Sequence, residues 1–249
     1  MSDSSYDSGN SEIPWQIISY PRLPSTMDEA WSLFREKEHE GIVVYTQDQY
    51  QGRGRNGKTW IGKPGQSLAF SITLLPDIGT LLFLAPAFSL ALVNCFSKVQ
   101  QSDVKVKWPN DILINAKKVA GILMETVIQD NTVRMVLGVG INLTLDTDEF
   151  EEIQNQATNL QDHTVIEIDP DVLLGMVVLE LQRIYSLVQN GWSPVPDWKL
   201  YLTTIGQWVK IGDKSSTLEG RVVDVDDRGR LLIQDEGGCI TAISSGELI

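Results

Sequence analysis

Apolar and polar residues alternate along this chain with spacings that predict a succession of helices and strands. The first helical pattern places four apolar residues on one face: Met27, Ala30, Trp31 and Phe34. Acidic residues follow Ser25 and Thr26 at the three-residue spacing that predicts a capping box. Two apolar blocks, GIVVYT and SLAFSITLL, then predict strands on either side of a glycine-rich stretch.

The middle of the chain combines a long apolar run with β-branched segments. The run from Leu81 to Phe96 contains Pro86 and is shorter than the roughly 20 residues that span a membrane, so it predicts a buried helix. The segments VKVKW, DILIN with its hairpin partner VAGILMETVI, and VRMVLGVGINL predict strands, and the turn Asn115-Ala116-Lys117 joins the middle two. These patterns predict a layered helix and sheet domain.

The last third of the chain begins with another helical pattern and ends in short strands. An i, i+4 stripe follows Asp169-Pro170 and stops at Gly191, which predicts a core helix with these inward residues: Leu173, Val177, Leu181, Tyr185 and Val188. Downstream, WVKIG, RVVDV, RLLIQ and CITAI predict a small antiparallel barrel of SH3-like size. We therefore expect a disordered tail over residues 1–13, a main domain over 14–204 and a C-terminal domain over 205–249.

Composition and charge restrict the possible functions. The 33 acidic and 20 basic residues give a formal net charge of −13, which disfavours DNA and anionic membranes as partners. The two cysteines, Cys95 and Cys239, have no C-x-x-C spacing, and the polar, acidic N-terminus does not resemble a signal peptide. We expect a cytoplasmic protein.

The glycine-rich stretch GRGRNGKTW, from Gly52 to Trp60, matches the spacing of both a P-loop and a dinucleotide-binding loop. Both patterns need a helix directly after the loop, whereas WIGKPGQS follows here and disfavours one. A solvated basic loop is the plain alternative. Three cations, Arg53, Arg55 and Lys58, together with an aromatic ring instead favour a loop that closes over an anionic, planar ligand.

Two further segments leave a structural and a functional interpretation open. Lys118, which begins a mostly apolar strand, is either a charge at the edge of a hairpin or an anion ligand, and spacing alone favours the edge charge. Gly138 and Gly140 within a strand indicate either a bulge or a ligand close to the backbone. Only His39 and His163 are available as histidines, so a histidine metal site or a Ser-His-Asp triad is not expected.

Five segments in this order resemble the biotin protein ligases, which attach biotin to acetyl-CoA carboxylase and related carriers. They are STM at 25–27, QYQGRGRNGKTW at 49–60, KWPNDI at 107–112, KVAGIL at 118–123 and GVGINL at 138–143. The resemblance implies an α/β (α+β) fold: a mixed sheet flanked by helices, as in class II synthetase-like catalytic domains, followed by an SH3-like barrel. About twenty residues precede it, which suggests the monofunctional form without a DNA-binding domain, a monomer or weak homodimer.

The resemblance also implies the reaction. Biotin and ATP, with Mg²⁺ expected, would give biotinyl-5'-AMP and pyrophosphate, and a lysine of the biotin carboxyl carrier protein would then displace AMP. Cations would neutralise the charge that develops as one anion attacks another. Lipoate or octanoate attachment on a similar fold, and a non-catalytic biotin-binding module, are the alternatives.

The resemblance assigns roles to individual residues. Arg53 and Lys118 would contact the biotin carboxylate and then the phosphate, and Asp111 would orient or deprotonate the incoming lysine. Biotin would be contacted by Ser25, Thr26, Met27, Gln49, Gly52, Arg53, Gly54, Arg55, Lys118 and Gly121. The adenylate would be contacted by Arg55, Trp60, Asn110, Lys118, Gly138, Gly140 and Asn142. The family commonly has asparagine where Met27 stands and arginine where Asn56 and Lys58 stand.

Overall fold

A seven-stranded mixed sheet forms the centre of the computed structural model, which describes residues 15–99, 102–212, 217–244 and 246. The tail expected over 1–13 lies outside the described residues. The sheet has the order β1-β2-β3-β7-β6-β5-β4, in which β1 and β2 are parallel and the other described neighbours antiparallel. The strands are β1 Gln16–Ser19, β2 Ile42–Thr46, β3 Ser67–Leu74, β4 Val104–Lys107, β5 Asp111–Ile114, β6 Lys117–Gln129 and β7 Thr132–Asn142.

Helices cover both faces of this sheet. They are α1 Thr26–Lys37, α2 Leu81–Val99, α3 Pro170–Gln189 and α4 Val195–Lys199. In β2, Ile42 and Val44 belong to the small core beneath α1, whereas Val43 and Tyr45 belong to the large core beneath α2 and α3. The alternation arises because successive strand residues point to opposite faces. The expected mixed sheet flanked by helices is confirmed.

The two predicted core helices are present. In α3, every residue of the predicted stripe is buried, and the carboxylate of Asp169 caps the helix by accepting hydrogen bonds from the N–H groups of Asp171 and Val172. By length and apolar composition the segment Ile78–Val99 could cross a membrane. Its buried face instead packs against α3 and the sheet, as the sequence predicts.

The predicted capping box at the start of α1 is wrong. Ser25 is the N-cap residue, but its side chain makes no capping hydrogen bond. The acidic side chains of the first turn have partners outside the helix: Glu29 accepts from the Tyr20 hydroxyl at 2.6 Å, and Asp28 accepts from Arg53. The acidic side chains of the first turn therefore bind residues outside α1 and do not cap the helix.

The chain ends in a second sheet of four described strands in the antiparallel order β11-β10-β9-β8. These strands are β8 Trp208–Gly212, β9 Thr217–Val225, β10 Leu231–Gln234 and β11 Ile240–Ile243. Lys199 of α4 pairs with Asp224 of this sheet at 2.5 Å. Gly229 lies so close to Pro86 of α2 that a Cβ there would come within 3.1 Å of the proline ring. The small sheet is thus packed against the helical layer.

Candidate active site

A cleft of about 980 Å³ opens on the face of the large sheet that α1 covers only in part. Its walls come from the start of α1, the glycine-rich loop, the β4–β5 corner and the segment 152–157. These residues expected at the site line it: Ser25, Thr26, Met27, Gln49, Arg53, Gly54, Arg55, Trp60, Asn110, Asp111, Lys118, Gly121, Gly138 and Gly140. Expected residues up to 115 positions apart in sequence, Ser25 and Gly140, therefore share one surface.

Three glycines of β6 and β7 form the floor of this cleft. A Cβ on Gly140 would lie 2.4 Å from Cε2 of Trp60, and one on Gly138 would lie 2.8 Å from Sδ of Met27. Gly121, opposite Gly140 on β6, would bring its Cβ within 3.1 Å of Lys118 Cε. The pairing of β7 with both neighbours runs through Gly138 and Gly140 without a register shift, so the bulge interpretation is wrong.

One end of the cleft is polar and closed. The half-buried side chain of Gln49 accepts hydrogen bonds through Oε1 from the backbone N–H of Thr26 at 2.8 Å and from its hydroxyl at 3.1 Å. The Thr26 hydroxyl also lies 2.8 Å from the hydroxyl of Ser71, a residue that the sequence analysis missed within an apolar strand. Gly52 lies behind this group, where a Cβ would come within 2.7 Å of Gln49 Nε2.

The glycine-rich loop is a short hairpin-like turn. The N–H of Trp60 donates to the carbonyl of Gly52 at 2.9 Å, and the N–H of Gly54 donates to the carbonyl of Lys58 at 2.7 Å. Positive φ angles at Asn56 and Gly57, 54° and 74°, turn the backbone at its tip. A strand, β3, follows the loop, so the P-loop and dinucleotide interpretations are correctly rejected.

The two arginines of the loop have different partners. Arg53 Nη1 lies 2.7 Å from both carboxylate oxygens of Asp28, and Nη2 lies 3.3 Å from Oε1 of Glu125. The hydrogen bond to Asp28 raises the pKa of Arg53 above its ordinary value. Arg55 donates to two neutral oxygens, Asn110 Oδ1 at 3.3 Å and the carbonyl of Gly246 at 3.0 Å. Of these two arginines, only Arg53 is paired with carboxylates that the structure describes.

Lys118 occupies the middle of the cleft. Its Nζ lies 2.6 Å from Asp111 Oδ1 and 5.6 Å from the centre of the Trp60 ring. Its strand is flanked by β5 on one side, and its backbone exchanges hydrogen bonds with Gln156 and Thr158 on the other, at 2.8 and 2.9 Å. Lys118 is therefore an interior residue of the sheet, and the preference for a hairpin-edge charge is wrong.

The wall formed by residues 152–157 was not anticipated. It is held at one end by the pairing with Lys118 and at the other by an ion pair between Lys63 and Glu149. Its lining residues are Glu152, Ile153, Asn155, Gln156 and Ala157. The irregular polar sequence of this segment carries no periodicity that could have indicated its position.

Asn142 does not line the cleft. Its buried side chain donates to the carbonyl of Thr158 at 3.0 Å. This hydrogen bond fixes the backbone directly after the wall formed by residues 152–157. Nearby, the His163 ring lies 2.8 Å from the Thr158 hydroxyl, and burial lowers the pKa of His163. Among the residues that the structure describes, no three His, Cys, Asp or Glu side chains form a group that could hold a metal ion.

Two family models match the chain. The biotin/lipoate A/B protein ligase family matches residues 19–142, and the biotin protein ligase C-terminal domain matches residues 204–249. The bifunctional ligase/repressor BirA of Bacillus spizizenii is 31% identical over 236 residues, which cover 91% of this chain and 72% of that protein. The biotin–[acetyl-CoA-carboxylase] ligase of Mycobacterium tuberculosis is 29% identical, over 84% of this chain and 79% of that protein.

A solved structure shows the same architecture. The biotin protein ligase from Aquifex aeolicus in complex with biotin and ATP aligns with a TM-score of 0.78 and 26% sequence identity. The alignment covers 94% of this chain and 97% of that chain. The similarity therefore extends over most of this chain, including both sheets.

Proposed function

The chain belongs to the biotin/lipoate A/B protein ligase family, and on this premise we propose that its cleft carries out both steps of biotin attachment. The activity is that of a biotin protein ligase acting on the carrier protein of acetyl-CoA carboxylase. One observation carries the assignment of the steps to this cleft: a closed polar end, a glycine floor and the cations of Arg55 and Lys118 lie in one cavity. An elongated, partly planar ligand with an anionic end fits that arrangement.

In the first step, a carboxylate oxygen of biotin attacks the α-phosphorus of ATP, and the bond to the pyrophosphate oxygen breaks. Both reactants are anions, so catalysis requires fixed positive charge where negative charge develops. Arg55 and Lys118 would supply that charge. Arg53 was also expected to contact these anions, but Asp28 and Glu125 bind its guanidinium, which favours a structural role over that contact.

The ring end of biotin would occupy the polar end of the cleft. Thr26, Gln49 and Ser71 form a connected set of donors and acceptors there, which suits a ureido group with two N–H donors and one carbonyl acceptor. Met27 would contribute packing, because its thioether lies against Gly138. The adenylate would stack near the Trp60 ring, which itself lies against Gly140 and Gly121, with Asn110 near the phosphate.

In the second step, the amine of the carrier lysine attacks the carbonyl carbon of biotinyl-5'-AMP. The bond to the AMP oxygen breaks, AMP leaves, and the amine loses a proton as the amide forms. The amine must be uncharged to attack. Asp111 would orient it or accept its proton, a role supported by the position of its carboxylate within the cleft, 2.6 Å from Lys118.

Mg²⁺ would enter with ATP. The ion is usually held by substrate phosphates and one or two carboxylates. Of the carboxylates that the structure describes, Asp111 and Glu152 line the cleft, and either could contribute to holding an ion that enters with the phosphates. Mg²⁺ would neutralise the phosphates that leave as pyrophosphate.

The remaining proposals concern partners and domains. The net charge of −13 supports a protein that binds neither DNA nor anionic membranes. A cytoplasmic location and a monomeric or weakly dimeric state complete the proposal. The division into domains at 14–204 and 205–249 is supported by the separate sheets. Sedimentation at several concentrations would measure the oligomeric state.

Incubation with biotin, Mg²⁺-ATP and the carrier domain of acetyl-CoA carboxylase tests the proposed steps. Pyrophosphate should appear with biotin and ATP alone, and biotinylated carrier should appear only when the carrier is added. Lipoate replaces biotin in the parallel reaction, where no product is expected. Pyrophosphate release with lipoate but not with biotin would overturn the proposed substrate.

A further inference from the structure

Two carboxylates outside the recognised motifs converge on the loop arginine nearest the start of α1. Asp28 lies in the first turn of α1 and Glu125 lies on β6, and both bind the Arg53 guanidinium. The indole N–H of Trp31 donates to Glu125 at 2.9 Å and fixes the second carboxylate. Building on the proposed ligase function, we propose that Arg53 anchors the glycine-rich loop and that Asp28 and Glu125 are positioning residues for that loop.

The balance of charges around Arg53 supports a role in anchoring the loop and not a direct contact with the substrate. Two carboxylates on one guanidinium leave a local charge of −1, so Arg53 brings no uncompensated positive charge to a substrate anion. If Arg53 moved to a phosphate, two neighbouring carboxylates would lose their shared cation while another anion approached them. Arg55, whose described acceptors are neutral, can take up an anion without such a loss.

The anchor joins the loop to the two elements that carry the rest of the site. The first turn of α1 also carries Thr26, which forms the polar end with Gln49. Strand β6 also carries Lys118 and Gly121. A guanidinium that binds both elements therefore fixes the loop relative to the ring end and the phosphate end together.

The expected effect is on binding more than on chemistry. The three side chains are partly exposed, at 39%, 60% and 36% for Arg53, Asp28 and Glu125, and isolated exposed ion pairs contribute little. Arg53 binds Asp28 through Nη1 and Glu125 through Nη2, and Glu125 also accepts from Trp31, so the feature that strengthens these pairs is the shared network. Loss of the anchor should therefore loosen the loop without removing a catalytic charge.

Steady-state kinetics of the full-length chain test this role. Arg53→Ala, Asp28→Asn and Glu125→Gln should each raise the KM for biotin, and the rate at which biotinyl-5'-AMP escapes, by about five- to ten-fold. The kcat for pyrophosphate release should stay within about two-fold, as expected when only ligand binding is weakened. Arg183→Ala is the matched control, because it removes an exposed arginine paired with Glu180 on α3.

A charge exchange gives the decisive comparison. Arg53→Asp alone should raise the KM for biotin, and adding Asp28→Arg should recover part of the loss, because the ion pair with α1 forms again with its charges exchanged while the carboxylate at position 53 still faces Glu125. A folded double variant as impaired as Arg53→Asp alone overturns the proposal. The proposal is also overturned if Arg53→Ala lowers kcat by more than about 100-fold while Asp28→Asn and Glu125→Gln leave kcat and KM unchanged. That pattern is expected of a charge that stabilises the transition state. If the exchange variant does not fold, this second comparison decides. A wild-type chain that releases no pyrophosphate would contradict the proposed function instead.

Discussion

At the scale of single residues, the position of Lys118 inside the sheet determines its expected contribution to adenylate formation. Its ammonium lies between Asp111 and the Trp60 ring, within a strand paired on both sides. Lys118→Ala should reduce adenylate formation by about 10²- to 10³-fold, the usual cost of removing one group that stabilises transition-state charge. Pyrophosphate release at saturating biotin and ATP measures the effect.

The control for Lys118 is Lys37→Ala, which removes an exposed lysine at the end of α1. It should leave turnover unchanged. Near-normal turnover in Lys118→Ala would remove this residue from the mechanism.

Gly140 offers a second residue-scale prediction. A methyl group at this position would lie 2.4 Å from the Trp60 indole, so the ring must shift or the strand must move. Gly140→Ala should destabilise the protein by about 1–3 kcal/mol, as overpacking does, and should raise the KM for ATP. Thermal unfolding and steady-state kinetics measure the two effects.

The matched control for Gly140→Ala is a glycine substitution that should change the free energy of unfolding in the opposite direction. Gly175 lies in α3, and beyond its chain neighbours and its own helix backbone no described atom lies within 4 Å of the position that an added methyl group would take. Gly175→Ala should therefore stabilise the helix by about 0.5–1 kcal/mol. Equal melting temperatures for the two variants would contradict the close contact at Gly140.

At the scale of elements, a carboxylate links the two core helices. Glu180 of α3 accepts from Arg183 and from Asn94 of α2, and the hydrogen bond from Arg183 lowers the pKa of Glu180. A lowered pKa in the folded state means that this stabilisation is complete above the unfolded pKa, about 4.3 for glutamate. It is lost as the pH falls below that value and through the folded pKa.

The measurement is the free energy of unfolding by urea between pH 3 and 7. Glu180→Gln should be less stable than the wild type by about 1–2 kcal/mol at neutral pH, where a charged hydrogen bond is lost, and the difference should shrink in acid. Glu236→Gln, at an exposed carboxylate, serves as control. A difference that is constant over the whole pH range would contradict the link.

Element patterns explain why some features could be predicted and others could not. The stripe of α3 and the strands around Asn115 follow from periodicity and turn chemistry, which are local. The capping box prediction is wrong because Asp28 binds Arg53 and Glu29 binds Tyr20, which lie 25 and 9 residues away in sequence. Spacing within one helix carries no information about such partners.

The same limit applies to the site. Its lining residues could be predicted where they occur in compact motifs, such as Gly52 to Trp60 or Lys107 to Ile112. Ser71, a fully buried partner of Thr26, and the wall over 152–157 could not be predicted, because only the folded chain brings them next to the motif residues. Asn142 was expected to bind adenylate, yet its buried amide satisfies the backbone of Thr158.

At the scale of the whole molecule, a residue beyond the small sheet contacts the glycine-rich loop that lines the cleft. Gly246, beyond the last strand of the small sheet, accepts a hydrogen bond from Arg55, a residue of the loop nearly two hundred positions earlier. A ribosome releases the loop and the cleft floor well before residue 246 has been added. The growing chain therefore carries the loop and the cleft floor before the residue to which Arg55 donates, and this contact can form only after residue 246 has been added.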